Sequence, residues 1–269
     1  MSAVRFVVSD LDGTLLPRSG KLGRYTREVL SEVRRRGIRF SIATGRLFHH
    51  ALPIAAELGL SDPVICCDGA LTRSACNDDI TRELFLAHET AQEAFAQLFF
   101  YADAIFLIGR DVIYAAPDAD TCLIAPWGDK IIRFNPREEL PESIQAIVAF
   151  GQNGLLAQAS ELLHDSLPEI QATVVDDMRK GLTPLIVRPR KANKGDALAD
   201  LRTRLLVRPS EVMVFGDWPN DLPMFAEAGY SIAPRNAHPA VKRAASRVSA
   251  YTSEEEFVAK ELEDMLQAL

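Results

Sequence analysis

The sequence lacks several features that would place it in a common class. None of its apolar runs approaches the roughly 20 residues that a membrane-spanning helix requires. Its four cysteines show no C-x-x-C spacing, so we expect reduced thiols rather than zinc ligands or disulfides. The motifs G-x-S-x-G, G-x-G-x-x-G and Walker A are absent from the sequence, which argues against serine hydrolases, Rossmann dinucleotide-binding proteins and P-loop enzymes.

Composition and charge favour a globular protein instead. The 269 residues are 48% hydrophobic and 25% charged, which allows a core domain and a sizeable insert. The net charge is −7, and residues 81–187 hold 16 acidic against 7 basic side chains. This acidic excess disfavours nucleic acid or an anionic membrane as a partner. The chain enters a predicted strand within its first residues, so we expect no signal peptide and a cytoplasmic location.

Two carboxylates follow the first predicted strand. The run 4–9 is almost continuously apolar, which is typical of a strand buried on both faces, and Asp10 and Asp12 come directly after it. In an open α/β sheet, ligands bind outside the carboxyl ends of the strands. One carboxylate there could attack phosphorus and the other could transfer protons, with Gly13 and Thr14 turning backbone N–H groups toward the phosphate. An acidic turn with local hydrogen bonds is the alternative interpretation.

Two further segments carry polar side chains to the start of predicted helices. The predicted strand 38–43 leads into Thr44 and Gly45, where a hydroxyl and N–H groups could hold a phosphate oxygen. A plain N-cap threonine is the alternative. Lys194 precedes the helical stretch 196–206 and could place a positive charge on a transferring phosphoryl group. Taken alone, it would be a solvated surface lysine.

Two more carboxylates, four residues apart, follow the predicted strand 211–215. Asp217 and Asp221 suit Mg²⁺, because this ion takes few protein carboxylates and completes its octahedron with water and substrate phosphate. Helix N-capping by Asp217, with Pro219 in the first turn, is a compatible alternative. Acidic groups that converge on one cleft would repel one another without a cation. The sequence therefore predicts a magnesium site.

The order of predicted elements indicates a parallel sheet with an insert. Strands and helices alternate up to residue 67, which favours right-handed βαβ units. Between Thr44 and Lys194 the chain is far longer than one crossover needs, so we predict an inserted domain, and its helical and short strand-like runs predict α+β content. The predicted boundaries are a core over 1–83 and 184–269, with the run 185–187 returning to it, and an insert over 84–183.

In order and spacing these segments resemble the haloacid dehalogenase-like hydrolase superfamily, and within it the Cof-type phosphatases, over essentially the whole chain. The resemblance implies a Rossmann-like doubly wound parallel-sheet core with an inserted α+β cap domain. It also implies that Asp10 is the nucleophile that forms an aspartyl-phosphate, and that Asp12 is the general acid and base. The implied metal positions are Asp10, Asp12 through its carbonyl, Asp217 and, in support, Asp221. The implied phosphate-contacting positions are the backbone of Leu11 and the residues Thr44, Gly45, Lys194 and Asn220.

The sequence departs from the family pattern in two places. Asp68 stands where these proteins usually carry Asn, and residues 233–237 replace a more glycine-rich loop. We expect both departures to affect local substrate contacts. Within the predicted insert, Trp127, Arg179 and Lys180 are the candidates for contacting a ring-bearing or anionic leaving group, and ordinary surface or packing roles are the alternative.

The sequence thus predicts a Mg²⁺-dependent phosphatase that hydrolyses a small phosphorylated metabolite through an aspartyl-phosphate intermediate. A sugar phosphate or a related phosphate monoester is the expected substrate. A phosphomutase acting on a hexose phosphate and a non-catalytic phosphometabolite-binding regulator stay open as alternatives. The sequence does not decide between a monomer and a homodimer.

Overall fold

The structure is a computed structural model that describes residues 4–125, 130–135, 139–175 and 180–267. It divides into two compact units, one formed by Met1–Arg82 with Asn193–Leu269 and the other by Glu83–Ala192. The second boundary expected from the sequence, after residue 183, is wrong by nine residues because the next strand belongs to the sheet of the second unit.

The described residues form fourteen strands and eight α-helices, and none of these helices is long and apolar enough to cross a membrane. The strands are β1 (Phe6–Ser9), β2 (Arg39–Ile42), β3 (Val64–Cys66), β4 (Leu71–Arg73), β5 (Ile80–Glu83), β6 (Ala104–Gly109), β7 (Val112–Ala115), β8 (Ile131–Arg133), β9 (Ile144–Gly151), β10 (Ile170–Val174), β11 (Thr183–Pro189), β12 (Val212–Phe215), β13 (Tyr230–Ala233) and β14 (Arg247–Val248). The helices are α1 (Arg24–Arg35), α2 (Phe48–Glu57), α3 (His88–Leu98), α4 (Asn153–Ser166), α5 (Lys194–Arg204), α6 (Leu222–Ala226), α7 (Pro239–Ala244) and α8 (Phe257–Gln267).

The first unit is built on a five-stranded parallel sheet in the order β14-β13-β12-β1-β2. All four residues of the central strand β1 are buried, as its apolar run predicts. Val7 packs in one hydrophobic cluster with residues of α1, α2 and α8, whereas Phe6 and Val8 pack in another with residues of α5, α6 and α7. Helices therefore cover both faces of the sheet, which is the doubly wound arrangement.

A small second sheet of the first unit, ordered β3-β4-β5, extends from the parallel sheet. A parallel bridge between Ala43 and Ile65 joins β3 to the chain that follows β2. Beyond it, the N–H of Thr44 donates to the carbonyl of Ile65 at 2.9 Å, and the N–H of Asp68 donates to the carbonyl of Thr44 at 3.1 Å. These bonds bring Asp68 to the same edge as Thr44.

The second unit contains a six-stranded sheet in the order β10-β11-β9-β6-β7-β8, antiparallel except for the β7–β8 pair. Residues of α3 and α4 pack with this sheet in one hydrophobic cluster. The run 185–187, expected to return to the core, lies in β11, where Leu185 pairs with Ala149 and Val187 pairs with Ile147 of β9. A short apolar run fits a buried strand of either sheet equally well, so the sequence alone could not assign it.

Candidate active site

The polar segments singled out in the sequence meet at one edge of the parallel sheet. Ser9, the last residue of β1, is aligned with Phe215 at the end of β12 and with Ile42 at the end of β2. Asp10, Asp217 and Thr44 follow these three strand ends within two residues. Because parallel strands place their carboxyl ends at the same edge, side chains that are distant in the sequence lie together there.

Lys194 is the buried cation of this site. Its side chain is 0% exposed, and its Nζ lies 2.6 Å from Oδ1 of Asp10 and 2.6 Å from Oδ1 of Asp221. The alternative interpretation of Lys194 as a solvated surface residue is therefore wrong. Burial by itself would lower the pKa of Lys194, but the nearby carboxylates of Asp10, Asp221 and Asp68 raise this pKa above its usual value. The ammonium thus stays charged at all physiological pH values.

The side chain of Asp221 ties the lysine to the loop after β12. While Oδ1 of Asp221 accepts from Lys194, its Oδ2 accepts from the N–H of Asp217 at 2.9 Å and from the N–H of Trp218 at 3.1 Å. A Cβ on Gly216 would lie 2.6 Å from this carboxylate, so a larger residue would displace it. Asp221 is thereby fixed as the support of both Lys194 and the Asp217 loop.

The side chain of Asp217 is held by the turn after β1. The hydroxyl of Thr14, itself buried, donates to Oδ1 of Asp217 at 2.5 Å. Gly13 has a φ of +84°, and a Cβ there would lie 2.6 Å from Oδ2 of Asp217. Glycine is therefore required at this position both by its backbone conformation and by the close approach of the carboxylate.

The carboxylates of Asp10, Asp217 and Asp221 form a group that could hold a metal ion, since their ligand oxygens all lie within 4.8 Å of one another. Burial raises the pKa of Asp10 well above its usual value; Lys194 opposes this rise, and the charges of Asp221 and Asp217 add to it. Burial likewise raises the pKa of Asp217 to about 6, against the hydrogen bond from Thr14. One ammonium therefore does not compensate three carboxylates, and a divalent cation fits this set of oxygen donors.

Asp12 lies apart from these buried groups in an ion pair with Arg46. The Nε of Arg46 donates to Oδ2 of Asp12 at 2.8 Å, and its Nη2 donates to Oδ1 at 2.5 Å. The side chain of Asp12 is 57% exposed and that of Arg46 is 25% exposed. Sequence reasoning assigned no role to Arg46, although its place directly after the Thr44–Gly45 pair was a signal that could have suggested one.

Gly13 and Thr14 form the tight turn after β1 that the sequence predicts. The N–H of Gly13 donates to the carbonyl of Leu16 at 3.1 Å, and that of Thr14 donates to the carbonyl of Leu11 at 3.3 Å. Both bonds close the turn itself, and the expected contact between the backbone of Leu11 and a phosphate stays a prediction.

Three predicted phosphate contacts, Thr44, Gly45 and Asn220, lie near one another. Thr44 is buried, and its hydroxyl oxygen accepts from the N–H of Arg46 at 3.1 Å. Thr44 is not a helix N-cap, since α2 begins at Phe48. A Cβ on the neighbouring Gly45 would meet the carboxylate of Asp68 at 3.4 Å. The same carboxylate accepts from Nδ2 of Asn220 at 2.8 Å. Asp68 therefore orients the Asn220 amide and leaves its second N–H proton for another acceptor.

Of the three candidate residues in the insert, the structure describes Lys180. Trp127 and Arg179 lie outside the described residues. Lys180 is 56% exposed, and its Nζ lies 2.5 Å from Oδ2 of Asp120. Its positive charge is thus already paired within the second unit.

The fold and the site together define an α/β enzyme with buried carboxylates and a lysine at the carboxyl ends of parallel strands. Comparison with known proteins identifies the family, since residues 7–262 match the model of the haloacid dehalogenase-like hydrolases. The chain belongs to this family, and the predicted resemblance, with its Cof-type character and its fold class, is confirmed.

Three similar proteins each align with this chain over most of its length and most of their own. The HMP-PP phosphatase of Serratia proteamaculans is 28% identical over 88% of this chain and 86% of its own. The 5-amino-6-(5-phospho-D-ribitylamino)uracil phosphatase YbjI of Escherichia coli is 25% identical over 90% of this chain and 89% of its own. A haloacid dehalogenase-like hydrolase from Bacteroides thetaiotaomicron superposes with a TM-score of 0.83 at 23% identity, over 97% of this chain and 99% of its own. The predicted enzyme class, a phosphoric monoester hydrolase, is confirmed at this level by relatives that are phosphatases.

Proposed function

We propose that this chain is a phosphatase that hydrolyses a small phosphorylated metabolite at Asp10. The observation that carries the proposal is the fully buried ammonium of Lys194, 2.6 Å from both Asp10 and Asp221. A fixed cation beside a carboxylate orients the nucleophile and stabilises the charge that develops on a transferring phosphoryl group. The relatives named as phosphatases support the same reaction class.

In the first step, Asp10 attacks phosphorus and the ester bond breaks. Oδ1 of Asp10 accepts from Lys194, and we assign the new bond to phosphorus to the other oxygen, Oδ2. The electron pair of the broken P–O bond goes to the leaving oxygen, which takes a proton from the carboxyl group of Asp12. The products of this step are an aspartyl-phosphate and the free alcohol.

In the second step, water hydrolyses the aspartyl-phosphate. Asp12, now a carboxylate, takes a proton from the water, whose oxygen attacks phosphorus and releases Asp10 and inorganic phosphate. The two hydrogen bonds from Arg46 fix both oxygens of Asp12, so Arg46 must release at least one of them for each proton transfer. Thr44, Gly45, Asn220 and the backbone of Leu11 are assigned to the phosphate oxygens.

We assign a divalent cation, Mg²⁺, to the carboxylates of Asp10, Asp217 and Asp221, with the carbonyl of Asp12 as a further ligand. When bound, such an ion polarises the phosphoryl oxygens as a Lewis acid. The under-compensated negative charge of the cluster and its all-oxygen donor set support this assignment.

The substrate class is a small phosphate monoester, as in the name of the Escherichia coli relative. Every residue assigned to the chemistry lies in the first unit, and the expectation that the insert selects the leaving group stays a prediction. The cytoplasmic location stays a prediction.

The proposal is tested by comparing Asp10→Asn with the matched variant Asp264→Asn, which changes an exposed residue of α8. With Mg²⁺ and p-nitrophenyl phosphate, we expect Asp10→Asn to abolish turnover, because the amide cannot form the acyl-phosphate, and Asp264→Asn to keep wild-type turnover. Turnover by Asp10→Asn near that of the wild type would contradict the proposal. Analysis of the products from a hexose phosphate separates hydrolysis, which releases inorganic phosphate, from a mutase reaction, which moves the phosphoryl group.

A further inference from the structure

Trp218 presents an aromatic surface next to the carboxylate cluster. It follows Asp217 directly and is 39% exposed. The other large apolar side chains exposed in the described part of the first unit are Ile80, Leu206 and Val248, all aliphatic. Trp218 is thus the one exposed aromatic residue among them, and it stands beside the residues that carry the chemistry.

The backbone of Trp218 is tied to the cluster. Its N–H donates to Oδ2 of Asp221 at 3.1 Å, and the other oxygen of Asp221 accepts from Lys194 at 2.6 Å. The main chain at Trp218 is therefore fixed by the same buried ion pairs that orient Asp10.

The indole ring of Trp218 is also held in place. It packs edge-on against the ring of His238, with the centroids 5.3 Å apart and an interplanar angle of 66°. His238 is itself anchored, since its N–H donates to the carbonyl of Asp217 at 2.9 Å and its Nδ1 accepts from the N–H of Ala240 at 3.2 Å. A rigid aromatic surface with few rotatable bonds loses little entropy when it binds a ligand.

We propose that Trp218 is a specificity-determining residue that stacks against a planar heteroaromatic ring in the leaving alcohol. This inference rests on the proposed phosphatase function and narrows its substrate class. The carboxylates of Asp10 and Asp217 belong to one cluster, and the indole is carried by the residue directly after Asp217. The Escherichia coli relative is named for a phosphate joined through a ribityl chain to a uracil ring, which has this chemistry.

The test uses matched pairs of esters that differ only in the ring. Flavin mononucleotide is compared with ribitol 5-phosphate, and uridine 5′-monophosphate with ribose 5-phosphate, for the wild type, Trp218→Ala and Trp218→Phe. We expect Trp218→Ala to lower kcat/KM for the ring-bearing esters roughly tenfold, mostly through KM, since one stacking partner is lost. The ring-free esters should be nearly unaffected, and Trp218→Phe should retain most of the preference because phenylalanine keeps a stacking face.

Leu206→Ala is the control. Leu206 is 83% exposed and follows the C-terminal end of α5, whereas Lys194 is the first residue of this helix. This variant should change neither ester of a pair. Equal losses for both esters of a pair in Trp218→Ala, or no loss for either, would overturn the stacking role. Wild-type turnover of p-nitrophenyl phosphate without any preference for the ring-bearing esters would overturn it as well and leave the phosphatase function intact. If the wild type with Mg²⁺ turned over no ester at all, the proposed function itself would fail.

Discussion

Lys194 of the first unit and Lys180 of the second unit lie in opposite environments. In the first unit Lys194 is fully buried between the carboxylates of Asp10 and Asp221. In the second unit Lys180 is 56% exposed and pairs with the single, half-exposed carboxylate of Asp120. Taking an ion out of water costs several kcal/mol, whereas an exposed pair contributes about 0–1 kcal/mol. We attribute the costly cluster of the first unit to catalysis and the exposed pair of the second to local surface structure.

After the loss of the nucleophile Asp10, the largest effect should come from Asp12, whose side chain is exposed although it lies in the first unit. Asp12→Asn should lower kcat by a factor on the order of 10²–10⁴, because general acid and base catalysis is lost. Arg46→Gln should lower kcat by a smaller factor, since Arg46 acts through Asp12. The double variant checks this relation, because its kcat should be no lower than that of Asp12→Asn. Additive losses in kcat would show that Arg46 has a separate role.

The next effect compares the two lysines directly. Lys194→Ala should lower kcat/KM by about 10²-fold and the free energy of unfolding by roughly 3–5 kcal/mol, because buried carboxylates lose their counter-charge. Lys180→Ala should change the free energy of unfolding by less than about 0.5 kcal/mol. Urea denaturation and steady-state kinetics measure both quantities.

Lys194→Met separates charge from packing in this comparison. Methionine fills much of the space of the lysine without the ammonium. If the lost charge is the cause of the destabilisation, Lys194→Met should therefore also have a lower free energy of unfolding than the wild type. A stability equal to that of Lys180→Ala would show that the buried cluster is not energetically distinct from the exposed pair.

A smaller effect concerns the support of Asp217. Thr14→Val removes the hydroxyl that donates to Asp217 and keeps the side-chain volume. We expect it to weaken activation by Mg²⁺ by roughly 10–100-fold, as for other partners of metal ligands, with kcat recovered at saturating metal. Asp217→Ala should raise the metal requirement further. Activity that survives a chelator would contradict the metal assignment for all of these carboxylates.

The smallest effect concerns the ion pair between the exposed Arg208 and the largely buried carboxylate of Glu211 in the first unit. Hydrogen bonds from Arg208 lower the pKa of Glu211 from 4.5 to about 2, against the effect of desolvation. The stabilisation by the Glu211 carboxylate should therefore be complete above about pH 4.5 and be lost as the pH falls toward 2. Urea denaturation should show Glu211→Gln less stable than the wild type at pH 7, with the difference shrinking over this range. Arg208→Gln should lose only part of the pH dependence, because the backbone N–H at position 208 still donates to Glu211 and Arg5 still lies near it. A difference that is constant with pH would argue against this carboxylate pairing.

The convergence of the site was predictable because strand ends of a parallel sheet meet at one edge. Asp10, Thr44 and Asp217 each follow a short apolar run, and this pattern is local in the sequence. The burial of Lys194 is not local, since it depends on two carboxylates that are distant along the chain, and its helix start fits a surface residue as well.

Two other features could not be predicted for related reasons. The pairing of Arg46 with Asp12 depends on the reach of a long side chain between two loops. The run 185–187 was assigned to the core because an apolar strand carries no mark of the sheet that it joins.

The central claim is that Asp10 carries the phosphoryl group during turnover. The most direct measurement is to quench the enzyme with borohydride during turnover in the presence of Mg²⁺ and to map the modified residue by peptide mass spectrometry. Borohydride reduces an acyl-phosphate to an alcohol, so this account predicts that Asp10 is converted to homoserine in the wild type and that Asp264→Asn behaves in the same way. Release of inorganic phosphate without any change at Asp10, or conversion of Asp12 or Asp217 instead, would contradict the account.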